Sequence, residues 1–236
     1  MPRQKEEFRI YPPTEIGISK RDIKGEEFQQ IFQFVRKIIF FQKDRQISKG
    51  IKGFIFHGDV GLGKTFLTKA LAHDIGSTLI FVDGSDIARP LYGEAESQIS
   101  KVFNRARDYR HSIILIDDCE SVFPTRDWLK GESWHIAQNN VFFHELDDID
   151  TARTIVILTT NRYDLLDKAV KDRLENIEFP HPGIETQKEI AMELLRELKM
   201  DSQPDIFVAI NSGEFNSIRS IEKYIRKKYV DEIVKN

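Results

Sequence analysis

The sequence predicts an α/β fold: a three-layer sandwich on a parallel sheet of five strands, followed by a small all-helical lid. Three observations carry this expectation. Short β-branched or aromatic runs alternate with helical periodicity up to about residue 180, which implies a parallel sheet with helices on both faces. One strand–helix junction carries a glycine-rich run ending in Lys64-Thr65, and beyond Pro180-His181-Pro182-Gly183 the pattern is helical only.

The elements follow in order. The polar start, Pro2 to Glu7, is not a signal peptide, and Tyr11-Pro12-Pro13 marks an extended arm, residues 1–21, before a body beginning at Asp22. From Glu26 to Phe41, Phe28, Ile31, Phe32, Val35, Ile38 and Ile39 recur on one helical face. Five strands are predicted at Phe54–His57, Thr78–Val82, Ser112–Asp117, Thr154–Thr160 and Ile177–Phe179, each apolar enough to be buried on both faces. Helices are expected between them at Lys64–Ile75, Glu94–Arg107, His135–Leu146 and Asp164–Val170, with Gly76 stopping the first. The body thus spans 22–182 and the helical lid 183–236. In the lid, Thr186 and Glu189 have capping-box spacing. The last helix shows Ile218, Ile221, Ile225, Tyr229 and Ile233 on one face, and the basic run Lys223, Arg226, Lys227 and Lys228 is read as a solvated face or a nucleic-acid contact.

Composition sets limits. The 236 residues carry a net charge of −3 with 31% charged residues, so there is no global basic excess, and a nucleic-acid partner is neither required nor excluded. A single cysteine, Cys119, rules out an internal disulfide framework and suits a reducing compartment, the cytoplasm, where it serves as a small buried apolar side chain. No apolar stretch is long enough to cross a bilayer.

The run Gly58-Asp59-Val60-Gly61-Leu62-Gly63-Lys64-Thr65 fits G-x-x-x-x-G-K-[ST], the phosphate-cradling P-loop, and lies between the expected strand at Phe54–His57 and a helix opening with Phe66 and Leu67. Glycines let backbone N–H groups approach phosphates, the helix offers its positive end, Lys64 neutralises charge and Thr65 supplies an oxygen to Mg²⁺. A nucleoside triphosphate is the ligand this implies. Ile113-Ile114-Leu115-Ile116-Asp117-Asp118-Cys119-Glu120 is a buried strand ending in acids, which makes Asp117 the metal-side carboxylate. Asp118 or Glu120 is then the water-polarising group, because strand alternation puts both on one side. Asn161, after Thr154–Thr160, is placed to hold water or a phosphate oxygen, or is a turn residue.

This order of elements resembles the AAA+ ATPases, and within them the AAA clade of proteasomal, membrane-protease and severing motors. Asp22-Ile23-Lys24-Gly25 resembles the clade's adenine-side segment, so Asp22, Ile23 and Gly25 join the cofactor set with Asp59, Val60, Gly61, Leu62, Gly63, Lys64, Thr65 and Phe66. Gly58–Thr65 resembles Walker A, Ile113–Asp118 Walker B, and Leu158–Arg162 the sensor 1 region, which gives Asn161 the sensor role. Arg173-Leu174-Glu175 is similar to the arginine-finger segment, and the resemblance therefore implies ATP, Mg²⁺ and a homo-oligomeric ring, a hexamer favoured. Two departures stand out: Asp118 replaces the usual glutamate, one methylene longer, and Asp172 accompanies Arg173 where relatives pair two arginines. Leu91-Tyr92-Gly93 resembles the substrate-gripping pore loop, with Tyr92 either a grip or a packed ring, and Trp128 and Trp134 flank a second loop or act as ordinary anchors. Arg219 looks like a sensor 2 arginine or is a surface residue. The implied function is an ATP-driven remodeller of protein substrates; the alternatives are a nucleic-acid-associated loader or switch and a slowly hydrolysing assembly subunit.

Overall fold

The computed structural model describes residues 8–87, 93–125, 134–200 and 203–235, with the side chains of residues 134–136 and 235 left aside. Five strands run parallel: β2 (Gly53–His57), β3 (Thr78–Asp83), β4 (Ser112–Asp117), β5 (Thr154–Thr160) and β6 (Glu175–Glu178). A sixth, β1 (Arg9–Tyr11), pairs antiparallel with β3 in the register Arg9 to Phe81 and Tyr11 to Leu79, completing the order β1-β3-β4-β5-β2-β6. Arg9–Tyr11, within the expected arm, are therefore part of the sheet and not an extension ahead of the fold. Three residues before the proline pair suffice for pairing, and the Arg9 guanidinium lies 4.4 Å over the Phe81 ring.

Alternation along the central strands divides the core in two. Phe54, Phe56, Leu79, Phe81, Ile113, Leu115, Ile155 and Ile157 pack on α1 (Glu26–Asp44) and α2 (Lys64–Ile75). Ile55, Ile80, Val82, Ile114, Ile116, Val156 and Leu158 pack on α4 (Glu94–Arg107) and α5 (Trp134–Asp148), beyond the single turn α3 (Gly84–Ile87). Gly76 ends α2 at φ 67° as its pattern required.

Two expectations differ in detail. The last strand lies at Glu175–Glu178 and is largely exposed, because it forms the sheet edge beside β2 and needs only one apolar side. The helix expected over Asp164–Val170 is two short turns, Tyr163–Leu165 and α6 (Lys168–Lys171). Leu166 breaks it by bridging to Pro124, and the Asp167 carboxylate accepts from the Ala169 N–H, starting α6 afresh.

The C-terminal region holds α7 (Ile184–Glu197), α8 (Pro204–Asn211) and α9 (Ile218–Lys235) around Ile190, Leu195, Ile206, Ile210, Phe215, Ile221 and Ile225. Thr186 is not the cap of α7: the helix starts from Gly183, and buried Thr186 donates instead to Glu27 Oε1 at 2.8 Å. Glu27 also accepts from the Gly183 N–H at 3.0 Å, so one carboxylate on α1 holds the start of α7 against the body. On α9, Ile221 and Ile225 are buried but Ile233 is 55% exposed, since the helix outruns its partners. Lys228 of the basic run is paired with Asp205 of α8.

Candidate active site

The carboxyl ends of β2, β4 and β5 lie side by side, as the pairings His57 to Thr160 and Ile116 to Leu158 require, and the loops leaving them form the site. After β2 the chain turns through Gly58 to Gly63 and enters α2 at Lys64, with Gly63 as a left-handed N-cap. Gly61 has φ +80°, and a Cβ there would lie 2.5 Å from the Arg219 Cβ, so only glycine lets α9 sit on the loop. The Arg219 N–H donates to the Gly61 carbonyl at 3.3 Å across this contact.

Lys64 is buried, and its ammonium donates to the carbonyls of Gly58 (2.7 Å) and Asp59 (2.8 Å) and to Asn161 Oδ1 (2.7 Å). Burial pulls its pKa below the usual lysine range, and the carboxylates of Asp118, Asp117, Glu120 and Asp59 oppose that shift. At the second residue of α2, the Thr65 hydroxyl lies 2.8 Å from Asp117 Oδ1 and 3.1 Å from Oδ2. Asp117 also receives the Thr159 hydroxyl.

Asp118 leaves the strand in the left-handed region, φ 51° and ψ 50°, a conformation that aspartate tolerates better than most side chains. Its N–H donates to Thr159 Oγ1 at 3.3 Å, and its Oδ1 accepts from Asn161 Nδ2 at 3.1 Å. Partial burial, then the neighbouring charges of Asp117, Glu120 and Asp83, push its pKa up. β4 stops at Asp117 and Glu120 sits in a 3₁₀ turn, Cys119–Ser121, so the strand alternation expected to carry Asp118 and Glu120 to one side does not operate there. Glu120 Oε2 is buried and has no hydrogen-bond partner among the described residues. Cys119 between them is fully buried, and burial pushes its thiol well above the usual range.

A cleft of about 590 Å³ opens over these groups, between the sheet's carboxyl edge and the C-terminal helices. Ile18, Ile23, Phe28, Leu62, Ile190, Leu194 and Ile218 form its apolar walls, and Lys64, Thr65, Asp117, Asp118, Thr159 and Asn161 its polar floor.

The chain matches the family model of the ATPase family associated with various cellular activities (AAA) over residues 54–181, from β2 through the floor residues to just past β6. It belongs to the AAA ATPase family. Protein SAV of Sulfolobus acidocaldarius is 34% identical over 197 residues, covering 77% of this chain and 24% of that protein. The 26S proteasome regulatory subunit 8 homolog of Saccharomyces cerevisiae is 34% identical over 145 residues, 59% of this chain and 36% of the relative. The mitochondrial ATP-dependent zinc metalloprotease FTSH 3 of Oryza sativa is 30% identical over 197 residues, 79% and 25%. The chain thus spans well under half the length of these relatives. A solved chain from work on katanin self-assembly superposes with a TM-score of 0.76 at 21% identity, covering 96% of this chain and 76% of that one, and shares the AAA fold.

Within this AAA chain the structure brings most of the sequence-derived set to one place. Asp22, Ile23, Val60, Gly61, Leu62, Gly63, Lys64, Thr65, Phe66, Asp117, Asp118, Asn161 and Arg219 all line the cleft; Gly25, Asp59, Glu120 and Arg173 do not. The Asp22 carboxylate is engaged locally, accepting from the Ser19 N–H (2.7 Å) and hydroxyl (2.9 Å), and the Ser19 backbone contact lowers its pKa. Gly25, at φ +81°, has Thr186 where a Cβ would project, and its N–H donates to Glu189 Oε2 at 3.2 Å, so it serves the junction with α7. The Asp59 carboxylate faces away toward His181 Nε2 at 3.4 Å, while His181 Nδ1 contacts the Asn216 carbonyl at 2.6 Å. Arg173 donates to the Ala169 carbonyl at 3.1 Å and stacks 4.1 Å over Phe143.

Sequence reasoning missed Thr159, Ile18, Glu222 and Arg226, which also line the cleft. Thr159 was discoverable, because it stands at the carboxyl end of the same strand, two residues before Asn161. Ile18 and Arg226 come from distant segments, and only the tertiary fold brings them in. Leu91, Tyr92, Trp128 and the segment 129–133 lie outside the described residues, as does the side chain of Trp134.

Proposed function

We propose that this chain binds ATP with Mg²⁺ in the cleft, hydrolyses it, and acts as a homo-oligomer, a hexamer favoured, that remodels or unfolds protein substrates in the cytoplasm. The carrying observation is the 2.8 Å contact between Thr65 and Asp117 beside a buried Lys64 held inside the glycine loop. The donor chemistry fits the two groups. A hydroxyl and a carboxylate are hard oxygen ligands, the kind through which Mg²⁺ is bound with one or two protein oxygens and substrate phosphates. The loop's buried cation and the amino end of α2 suit a triphosphate.

Bound Mg²⁺ supplies charge neutralisation on the phosphates; Thr65 and Asp117 would hold it. Lys64 exchanges Asn161 Oδ1 for a phosphate oxygen, because a side-chain amide is released more easily than loop carbonyls. Asp118, with its raised pKa and its contact to Asn161, polarises the attacking water. Asn161 orients that water, and Arg219 approaches the phosphates from α9. Arg173, outside its own chain's cleft, serves a neighbouring copy. The apolar walls sandwich the base, with the body, 22–182, and the helical lid, 183–236, as the two jaws.

Fluorescence titration with a ribose-labelled ATP, followed by phosphate release with and without unfolded protein or DNA, tests the reading. Binding that needs Lys64 and turnover stimulated by unfolded protein support it. Stimulation by DNA alone favours the loader reading, which Arg219 in the cleft supports. Binding with negligible turnover favours the slow assembly subunit, which the shorter Asp118 supports.

A further inference from the structure

Thr159 sits at the penultimate position of β5 and is 1% exposed, yet it lines the cleft floor. Its hydroxyl is used in both directions. It donates to Asp117 Oδ1, and its oxygen accepts from the Asp118 N–H at 3.3 Å. No apolar isostere can do either, and the two partners are the adjacent acids at the end of β4.

We propose that Thr159 is a positioning residue for this site, holding the metal-side carboxylate and the water-polarising aspartate with a single hydroxyl. The inference rests on the nucleotide reading above. Asp117 carries two hydroxyl contacts, Thr65 and Thr159. The Thr159 contact fixes Oδ1, while among the described residues Oδ2 keeps only the 3.1 Å Thr65 contact. Buried oxygen partners of this kind orient a ligating carboxylate.

The second half of the argument concerns Asp118. Its left-handed backbone, φ 51°, is sparsely populated for a side chain other than glycine and persists only where surrounding contacts determine it. The hydrogen bond from its N–H to Thr159 is the contact that does so from β5. In this conformation the Asp118 carboxylate meets Asn161 Nδ2 at 3.1 Å. Thr159 is the penultimate residue of β5 and Asn161 follows its last residue, so the end of one strand holds Asp118 at its backbone and at its carboxylate.

The experiment compares wild type, T159V, T159A and T159S. Each is titrated with N-methylanthraniloyl-ATP, first in EDTA and then against MgCl₂, with melting temperature recorded nucleotide-free and turnover at saturating Mg²⁺. T159V should bind the labelled nucleotide in EDTA within about twofold of wild type, need about tenfold more Mg²⁺ for half-saturation, and lose about tenfold in kcat with little change in KM. T159S, which keeps the hydroxyl, should recover both to within about threefold. If T159V does not fold, T159A is read in its place. A variant without the hydroxyl that keeps the wild-type Mg²⁺ requirement and kcat overturns the proposal. So does a loss in which EDTA binding falls in parallel, or which T159S fails to rescue, since either marks a merely structural role. A wild-type protein that binds no nucleotide under any condition sinks the nucleotide reading itself, an outcome distinct from an unaltered T159V.

Discussion

Lys64 donates to two loop carbonyls and Asn161, so its positive charge is held in place inside the glycine loop. Lys64→Ala removes that charge and should weaken nucleotide binding by about 1.5–3 kcal/mol, tenfold to a hundredfold, in a fluorescence titration. Asp118→Asn keeps the contact geometry and removes the proposed base; binding should persist while turnover falls on the order of a hundredfold or more. If Glu120→Gln alone has that effect, the group with the buried, unpartnered oxygen is the base instead. The pKa of Asp118 gives a sign as well. It is raised above the ordinary aspartate value of 3.8, so the folded protein disfavours the charged form. The penalty is present above the folded pKa and is released as pH falls through it and then below 3.8. Asp118→Asn should therefore raise the nucleotide-free melting temperature at neutral pH, and the difference should vanish in acid. Solvent screening at this exposed side chain keeps the gain below about 1 kcal/mol. The acid limb of turnover should likewise lie at higher pH than an ordinary aspartate would give.

Among the elements, the contact between the glycine loop and α9 is the most vulnerable to a small change. Gly61→Ala imposes a side chain at φ +80° and places its Cβ 2.5 Å from that of Arg219. It should cost about 1–3 kcal/mol, read as a lower melting temperature and faster proteolysis ahead of α7, whereas an unchanged protein would mean that α9 does not rest on the loop. How the elements were read follows from where their determinants lie. α2 and α4 were legible to the residue because amphipathic spacing and glycine boundaries are local. β4 and β5 were legible because burial on both faces makes them continuously apolar. β6 was displaced because an edge strand needs no such run, and β1 was missed because its pairing with β3 is decided about seventy residues away. Thr186 shows a local signal overridden: its hydroxyl serves Glu27 rather than its own helix. Of the site, the loop and the acids were readable because their spacing is sequential. On α9 only Arg219 was read, from its resemblance to a sensor 2 arginine; the apolar walls on α7 and α9, Ile190, Leu194 and Ile218, were not, because they arrive through tertiary packing.

At the scale of the whole molecule, the position of Arg173 makes an assembly testable. Its guanidinium is engaged by the Ala169 carbonyl and the Phe143 ring, and it does not line its own cleft, so any phosphate it reaches belongs to another copy. A contact in which one copy offers Arg173 and the next offers its cleft is head-to-tail, and such contacts give a ring where the rotation closes and a filament where it does not. Arg173→Ala subunits then have a complete cleft but no arginine to give, while Lys64→Ala subunits have the arginine but a crippled cleft. Each alone should turn over ATP at a small fraction of the wild-type rate. Mixed one to one, half of the clefts are intact and half of the neighbours carry Arg173, so about a quarter of the interfaces become functional if exchange is random. Phosphate release should rise to that level and peak near equal mixing. A rate that stays at the average of the two variants at every ratio would mean that Arg173 does not act in trans and that catalysis is completed within a single chain.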